Sequence, residues 1–431
     1  MLQWISLDWD GCGPYRGLKP PHSTRTSPRP SIQWRPPVAL FDKCREFNAW
    51  IDSLKAANQF FYFRQFDPAA SPTVTMDGRK LIMLGSNNYL GLATHPKVIE
   101  ATVNAVREYG TGACSSRVLT GTTSLHNALE RKLAEFKGTE AAVVFSTGFM
   151  TMMGTISALT QEGDVVLSDE FNHASIVEGC RLTGAEVRVY RHNDMASLEA
   201  ELSACDAGSD KLIVTDGVFS MRGTLGDLPG IRKLADRFGA VVMMDDAHGT
   251  GAVGATGRGT LEHFGMKGQV ELVCGTFSKS LGTIGGFTAA TQEIVSYLKL
   301  NARPFIFSAS PPPSSMATVL ACLEVIEEEP ELMDHLRENT NFLREGLKDA
   351  GFDLEPTVTP ILPVLIGDEE KTFLMAGGLE DEGVIVNPVV SPAVPREGSL
   401  VRVSVMANLS ADELETALEK FKLVGGKLGV I

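Results

Sequence analysis

The chain has 431 residues and a mass of 46.4 kDa, enough for one large domain, one or two smaller ones and a buried active site. A formal charge of -14 argues against a general nucleic-acid-binding protein, and no apolar run approaches the ~20 residues that span a bilayer. Seven scattered cysteines without a CxxC pair favour reduced thiols, so we expect a cytoplasmic, metal-free protein that acts on small molecules.

The first segments of the chain differ from the rest. Residues 1–37 are rich in proline and lack periodicity, which predicts a disordered or loosely attached extension. A helical pattern follows, and an alternating stretch around Asp77-Gly78 predicts a β-hairpin. We assign both features to an N-terminal segment, residues 38–84.

The middle of the chain alternates helical stretches with short apolar runs. The runs are "AAVVFS", "DVVLSD", "KLIVTD", "AVVMMDD", "ELVCGT" and "GGFTAA". Such runs, separated by amphipathic helices, predict an α/β domain with a largely parallel sheet covered on both faces, at residues 85–328. A long helix then begins a smaller α+β domain, residues 329–431, with strand candidates "ILPVLIG" and "LVRVSVMA".

Ligands of open parallel sheets collect at the carboxyl ends of the strands. Asp245 ends "AVVMM", where a buried carboxylate requires a cationic partner, and His248 can point into the same cavity. Thr147 and Gly148 follow "AAVVF" at a helix start, where free amides suit a phosphate. His173 follows "DVVLSD".

Lys279 lies in "GTFSKSLGTIGG", between an apolar strand and a glycine-rich turn. A Walker-type loop requires glycine directly before the lysine, and Ser278 stands there instead. A partly desolvated lysine has a lowered pKa, and its neutral amine forms Schiff bases with carbonyls. Pyridoxal phosphate needs such a lysine, a helix start for its phosphate and a carboxylate for its ring nitrogen. Lys279, Gly148 and Asp245 together therefore predict this cofactor.

From about residue 45 onward the chain resembles the α-oxoamine synthases of the fold-type I pyridoxal-phosphate enzymes. The matching motifs, in order, are "GSNNYLGLATHP", "YGTGACSSRVLTGTTSLHNALE", "FSTGF", "DEFNHAS", "DGVFSMRG", "DDAHGTG", "GTFSKSLG" and "NPVVSPAVP". Within the family, the bacterial serine palmitoyltransferase-like branch is the most similar. The resemblance implies a mostly parallel seven-stranded sheet, a smaller α+β C-terminal domain and a homodimer with shared active sites.

The resemblance also implies roles for individual residues. Lys279 would hold the cofactor as a Schiff base, and Asp245 would contact the pyridinium nitrogen. His173 would stack on the ring and polarise the thioester carbonyl, while His248 would contact the phenolic oxygen. Further cofactor contacts are implied for Thr147, Gly148, Phe149, Ser220, Thr276 and, from the neighbouring subunit, Ser308.

The implied reaction condenses a small amino acid, serine favoured, with an acyl-CoA, releasing CoA and CO2 and giving an α-aminoketone. Asn87 and Arg402 would bind the amino-acid carboxylate. Sphingolipid biosynthesis is the corresponding process. The alternatives are 8-amino-7-oxononanoate synthase or 2-amino-3-ketobutyrate CoA ligase activity, or a polyketide-type pathway with a carrier-protein thioester. Transamination and a non-catalytic subunit are further rivals, opposed by the synthase motifs and by the retained Lys279.

Three positions depart from the family pattern. Arg222 stands where an acidic residue is usual, Asn408-Leu409 replaces a pair such as His-Thr, and Asp216 replaces the more usual Glu. The first two lie near substrate-facing elements, so the identity of the amino acid and of the acyl chain stays open.

Overall fold

The computed structural model describes residues 41–57 and 59–431, so the predicted extension, residues 1–37, lies outside the described residues. The chain divides into two compact units at Ala57. In the first, the described residues form helix α1 (Asp42–Ala56), none of whose side chains is buried. The second unit holds all the other elements described below.

The second unit alternates strands and helices along most of its length. Its strands are β1 (Thr73–Met76), β2 (Arg79–Met83), β3 (Ala141–Phe145), β4 (Val165–Asp169), β5 (Glu186–Tyr190), β6 (Lys211–Asp216), β7 (Val241–Asp245), β8 (Leu272–Thr276), β9 (Gly286–Ala290), β10 (Asp353–Leu354), β11 (Ile361–Leu365), β12 (Val384–Ile385), β13 (Asn387–Val389) and β14 (Leu400–Ser404). Its helices are α2 (Pro96–Tyr109), α3 (Ser124–Lys137), α4 (Gly148–Leu159), α5 (Ala174–Leu182), α6 (Met195–Ser203), α7 (Leu228–Phe238), α8 (Thr260–His263), α9 (Gln292–Asn301), α10 (Arg303–Ile306), α11 (Pro313–Glu328), α12 (Glu331–Asp349), α13 (Glu369–Asp381) and α14 (Ala411–Leu428).

The large sheet has seven strands in the order β3-β9-β8-β7-β6-β4-β5. Strand β9 is antiparallel to both of its neighbours, and the other pairs are parallel, so the predicted mostly parallel seven-stranded sheet is confirmed. Six strands coincide with the predicted apolar runs. The edge strand β5, "EVRVY", was not among them, because an edge strand with one exposed side lacks a continuous apolar run.

The register of the sheet brings several strand ends together. Asp216 at the end of β6 lies beside Asp245 at the end of β7, and Asp245 lies beside Cys274 of β8. Helix α4 begins directly after β3, where the Thr147 hydroxyl caps it by accepting a hydrogen bond from the Met150 amide at 3.1 Å. The polar residues after these strands therefore meet at one edge of the sheet.

The predicted hairpin is confirmed as β1 and β2, with Met76 paired to Arg79 across Asp77-Gly78. The predicted C-terminal strands are β11 and β14, which lie in an antiparallel sheet of order β10-β11-β14-β13. Strand β12 pairs with β2, and the hairpin shares one apolar core with β11 and β14. The three predicted domain boundaries stay a prediction. Within the described ranges, no helix has the length and apolarity needed to cross a membrane.

A buried ion pair fixes the loop after β7. The Asp246 carboxylate, 1% exposed, accepts hydrogen bonds from Lys137 Nζ at 2.7 Å and from the Thr260 hydroxyl and amide at 2.7 and 3.1 Å. Lys137 Nζ also donates to Thr250 Oγ1 at 2.7 Å and to the Arg258 carbonyl at 2.8 Å. Because every charged atom has partners, this network holds the loop that carries Asp245 and His248.

We predict that Asp246→Asn destabilises the protein by about 3–5 kcal/mol, because it leaves the Lys137 charge buried without a counter-ion. Denaturant unfolding followed by circular dichroism measures the change. The matched control is Asp236→Asn, which removes a carboxylate that is 69% exposed and 2.7 Å from Arg232, and little change is expected there. Equal unfolding midpoints for the two variants would contradict the prediction.

Candidate active site

A cavity of about 360 Å³ lies at the carboxyl ends of the central strands. Nearly all of the residues predicted to hold a cofactor line it, namely Thr147, Gly148, Phe149, His173, Ser220, Asp245, His248, Thr276 and Lys279. They come from the carboxyl ends of five different strands of the sheet and from the segments that follow these strands. The structure therefore brings together residues that are spread over more than a hundred positions of sequence.

One wall of the cavity is the start of α4. The amides of Gly148 and Phe149 have no acceptor within their own helix, because the first turn of any helix leaves its N–H groups free. A side chain at Gly148 would place its Cβ 2.6 Å from Thr276 Oγ1, so only glycine fits there. Two free amides, a helix N-terminus and the Thr276 hydroxyl make this wall suitable for an anion such as a phosphate.

Two buried carboxylates also line the cavity. Asp245 accepts one hydrogen bond from the Ala247 amide at 3.0 Å, and burial raises the pKa of its carboxyl group. Asp216 accepts one from the His173 amide at 3.1 Å, and burial together with the neighbouring Asp245 raises its pKa as well. Among the ion pairs of the described residues, none includes either carboxylate. The cavity therefore favours a cationic group next to them.

Lys279 is the cationic side chain of this cavity. Burial lowers the pKa of its amine from the usual 10.5 to about 8, and Arg402 acts in the same direction. The charges of Asp245 and Asp216 oppose that shift. An appreciable fraction of Lys279 is consequently neutral and nucleophilic near neutral pH.

His173 stands at the mouth of the cavity as the N-cap of α5. Its Nδ1 lies 2.8 Å from Ser175 Oγ, and its amide is held by Asp216. Partial burial and the positive charge of Lys279 lower the pKa of the ring. The imidazole is thus a neutral, fixed ring that faces the cavity.

Behind the cavity, a hydrogen-bonded cluster joins His248 to the two residues predicted to bind the substrate carboxylate. The Arg402 guanidinium donates to Asn87 Oδ1 at 3.2 Å, to the Tyr89 hydroxyl at 3.2 Å and to the Ser220 carbonyl at 2.5 Å. The Tyr89 hydroxyl lies 2.8 Å from His248 Nδ1. Burial, and then the charges of Lys279 and Arg402, keep the pKa of His248 well below its usual value.

A second, wider cleft of about 870 Å³ shares His173 and Ser220 with the cavity. Arg222 lies in this cleft, pairs with Glu355 at 2.5 Å and stacks over the Phe171 ring at 5.1 Å. Arg222, which departs from the family pattern, is thus paired with an acidic residue, Glu355. At the second departure, Asn408-Leu409, Leu409 is buried and Asn408 is exposed.

Ser308 is the one predicted cofactor residue that does not line the cavity of its own chain. Its hydroxyl lies 3.6 Å from Met150 Sδ, beside the first turn of α4. Its predicted contact with the neighbouring subunit stays a prediction.

Sequence reasoning did not place two residues in the site. Asp216 was named only as a departure from the family pattern; it ends β6 just as Asp245 ends β7, so the strand-end rule that identified Asp245 could have found it. Tyr89 offered no such signal, because a tyrosine inside "NNYLG" is not distinguishable from a core residue. Only the fold brings its hydroxyl to His248, which is 159 positions away.

Comparison with known proteins places this site in context. Residues 79–421 match the family model of aminotransferase class I and II. The chain is 47% identical over 381 residues to serine palmitoyltransferase of Sphingobacterium spiritivorum, covering 88% of this chain and 95% of that protein. It is 45% identical over 381 residues to 8-amino-7-oxononanoate synthase of Exiguobacterium sibiricum, covering 88% and 98%. A solved structure of SPT with PLP matches with a TM-score of 0.87 and 35% identity, covering 91% of this chain and all of that one. The predicted fold class is confirmed.

The lowered pKa of Lys279 predicts a distinctive pH dependence. Because only the neutral amine attacks an aldehyde, reductive methylation of Lys279 should be half-maximal near pH 8 and should level off above it. Ordinary lysines, with a pKa of about 10.4, should continue to gain reactivity over two further pH units. Peptide mass spectrometry after formaldehyde and cyanoborohydride treatment measures both, on protein first treated with hydroxylamine to release any bound carbonyl compound. A Lys279 profile that follows the surface lysines would contradict the prediction.

Proposed function

The chain belongs to the aminotransferase class I and II family, and we propose that it is a pyridoxal-phosphate-dependent α-oxoamine synthase. It condenses a small amino acid, serine favoured, with an acyl-CoA thioester and releases CoA, CO2 and an α-aminoketone. The observation that carries the proposal is the amine of Lys279 in one cavity with the Asp245 carboxylate, His173 and the free amides of α4. Pyridoxal phosphate is the cofactor that requires an amine, a carboxylate and a phosphate-binding helix start in one cavity.

The residues of the cavity fit the cofactor. Gly148 and Phe149 present amides to a phosphate, and the close contact of Gly148 with Thr276 explains why a glycine stands there. Asp245 is a buried carboxylate that forms no ion pair with any described residue, as a partner for a pyridinium nitrogen must be. His173 is a neutral imidazole that suits the face of the pyridine ring, and His248 is one that suits its phenolic oxygen.

When bound, pyridoxal phosphate supplies an electron sink for a carbanion at the α-carbon of the amino acid. Arg402 and Asn87 hold the amino-acid carboxylate, whose position then fixes which α-bond faces the catalytic groups. The neutral amine of Lys279 accepts the α-proton. His173 polarises the thioester carbonyl, so that carbon–carbon bond formation expels CoA as a thiol before CO2 is lost.

The acyl donor has a route to the reacting atoms. The wider cleft meets the cavity at His173 and Ser220, and its lining includes the apolar side chains of Phe171, Met221 and Val394. Its volume, about 870 Å³, is within the range of ligand sites for extended small molecules. Serine palmitoyltransferase-like activity, and so a role in sphingolipid biosynthesis, is our first choice because that relative has slightly higher identity than the 8-amino-7-oxononanoate synthase. The latter activity, 2-amino-3-ketobutyrate CoA ligase activity and a carrier-protein thioester donor remain the alternatives.

We also propose that the enzyme is a cytoplasmic homodimer with shared active sites. Free thiols at all six described cysteines support a reducing compartment. Large apolar side chains that are mostly exposed, among them Leu119 and Phe307, support an interface with a second copy. Ser308 follows Phe307 directly, which is consistent with its proposed contact to the neighbouring cofactor.

The proposed reaction predicts that Lys279→Ala lowers thiol release from acyl-CoA in the presence of serine by about 10²–10⁴-fold or more, because the general base is lost. The measurement is a continuous free-thiol assay. Lys422→Ala removes an exposed lysine of α14 and should leave the rate unchanged. Release of CoA at the normal rate by Lys279→Ala would contradict the proposal. Keto-acid formation without CoA release by the unchanged protein would favour transamination instead.

The carboxylate site predicts a selective effect of Arg402→Lys. The variant keeps the charge but loses the planar fork, so KM for the amino acid should rise about tenfold or more while KM for acyl-CoA stays the same. The cofactor-loaded protein is titrated with serine, glycine and alanine while its visible spectrum is recorded. This identifies the first substrate and measures the loss of amino-acid binding in the variant. Arg131→Lys, an exposed site on α3, is the matched control. An unchanged amino-acid titration would mean that Arg402 does not bind the carboxylate.

A further inference from the structure

The Tyr89 hydroxyl is the junction between two parts of the site. It is fully buried and lies within hydrogen-bond distance of His248 Nδ1 at 2.8 Å, of Arg402 at 3.2 Å and of Asn87 Oδ1 at 3.2 Å. His248 lines the cavity proposed for the cofactor, whereas Arg402 and Asn87 form the proposed carboxylate site. Among the described residues, no other side chain forms hydrogen bonds with all three of these residues.

The direction of each hydrogen bond follows from what each group can donate. Arg402 has only donors, so the Tyr89 oxygen accepts from it. The single phenolic proton then has two acceptors within reach, His248 Nδ1 and Asn87 Oδ1. Asn87 Oδ1 already accepts a hydrogen bond from Arg402, and the contact with His248 is shorter by 0.4 Å. Donation to Asn87 Oδ1 would instead leave an Nδ1–H of His248 to donate to the phenol, but the shorter contact assigns the phenolic proton to His248 Nδ1.

This donation determines where the imidazole carries its proton. His248 is neutral, because burial and nearby positive charges keep its pKa well below the usual value. A neutral imidazole has one N–H, and with Nδ1 accepting from Tyr89 that N–H must be on Nε2. His248 consequently presents its Nε2–H as a hydrogen-bond donor to the phenolic oxygen of the cofactor. An acceptor nitrogen at that position would repel the oxygen.

We propose that Tyr89 is a positioning residue that sets the His248 tautomer and couples it to the occupancy of the carboxylate site at Arg402. A carboxylate that binds Arg402 and Asn87 competes for the guanidinium donors that reach Tyr89. Because hydrogen bonds in a buried chain polarise one another, the bond from Tyr89 to His248 changes when that competitor arrives. Amino-acid binding and the electronic state of the cofactor are thus linked through one hydroxyl. This inference rests on the proposed function.

The test uses propanoate, a carboxylate without an amino group, so it can occupy Arg402 without reacting with the cofactor. In the unchanged, cofactor-loaded protein we expect a saturable propanoate-dependent change in the visible absorption spectrum. In Tyr89→Phe, which removes only the hydroxyl, we expect that change to be lost. Propanoate should still compete with the amino acid in that variant, because Arg402 and Asn87 remain in place.

Tyr109→Phe is the matched control, because it removes a hydroxyl that lies 3.0 Å from Ser124 Oγ outside the site. It should keep the full propanoate response. An equal response in Tyr89→Phe, or no response in the unchanged protein, would overturn the coupling. Failure of the unchanged protein to bind pyridoxal phosphate would overturn the proposed function as well, so the two failures are distinguishable.

A second measurement does not depend on the Tyr89→Phe variant. Nitrogen-15 NMR of histidine-labelled unchanged protein reports which ring nitrogen carries the proton, and the His248 signals are those that vanish in His248→Gln. The proposal requires the proton on Nε2. A His248 ring protonated on Nδ1 would overturn it.

Discussion

The burial of two carboxylates beside one lysine amine is the interaction on which the rest of the site depends. Asp216 and Asp245 end adjacent parallel strands, so the register of the sheet forces them together whatever the side chains prefer. Burying one unpaired carboxylate is costly, and burying two side by side is more so. Lys279 offsets part of this cost, yet its own burial lowers the pKa of its amine. The cavity is thus built to receive a further cationic ring, and its lysine is ready to react.

The scaffold separates this reactive charge from a structural one. Asp245 faces the cavity, whereas the next residue, Asp246, forms a fully hydrogen-bonded ion pair with Lys137. Successive side chains of an extended chain point to opposite sides, so two neighbouring aspartates serve opposite purposes. The structural pair is satisfied at every polar atom and holds the loop. Among the described residues, the reactive carboxylate forms no ion pair, and the structural pair holds the residue next to it in place.

Local chemistry explains why much of the fold and the site was predictable. Six buried strands are recognisable in the sequence as apolar runs. The polar residues that follow these runs include Thr147, His173, Asp245 and Lys279. The edge strand β5 escapes because exposure on one side permits charged residues such as Arg188 between its valines. Tyr89 escapes for a different reason: its proposed role depends on a contact with Arg402, 313 positions away, which exists only after the chain has folded. Sequence patterns report the environment of a segment, not its distant partners.

Cofactor and substrate specificity are encoded in different ways. In the proposed site, backbone amides, strand ends and charges hold the cofactor groups, and these leave few acceptable residues at each position. The wider cleft is lined by apolar side chains and by Arg222, whose charge is matched by Glu355. An apolar pocket distinguishes one methylene by only about 1–3 kcal/mol, and many combinations of ordinary residues can build it. Relatives with different named activities can therefore be almost equally similar to this chain, at 47% and 45% identity. If the wider cleft binds the acyl donor as proposed, the choice of substrate depends on a small number of cleft side chains, which contribute too little to overall identity to separate the two activities.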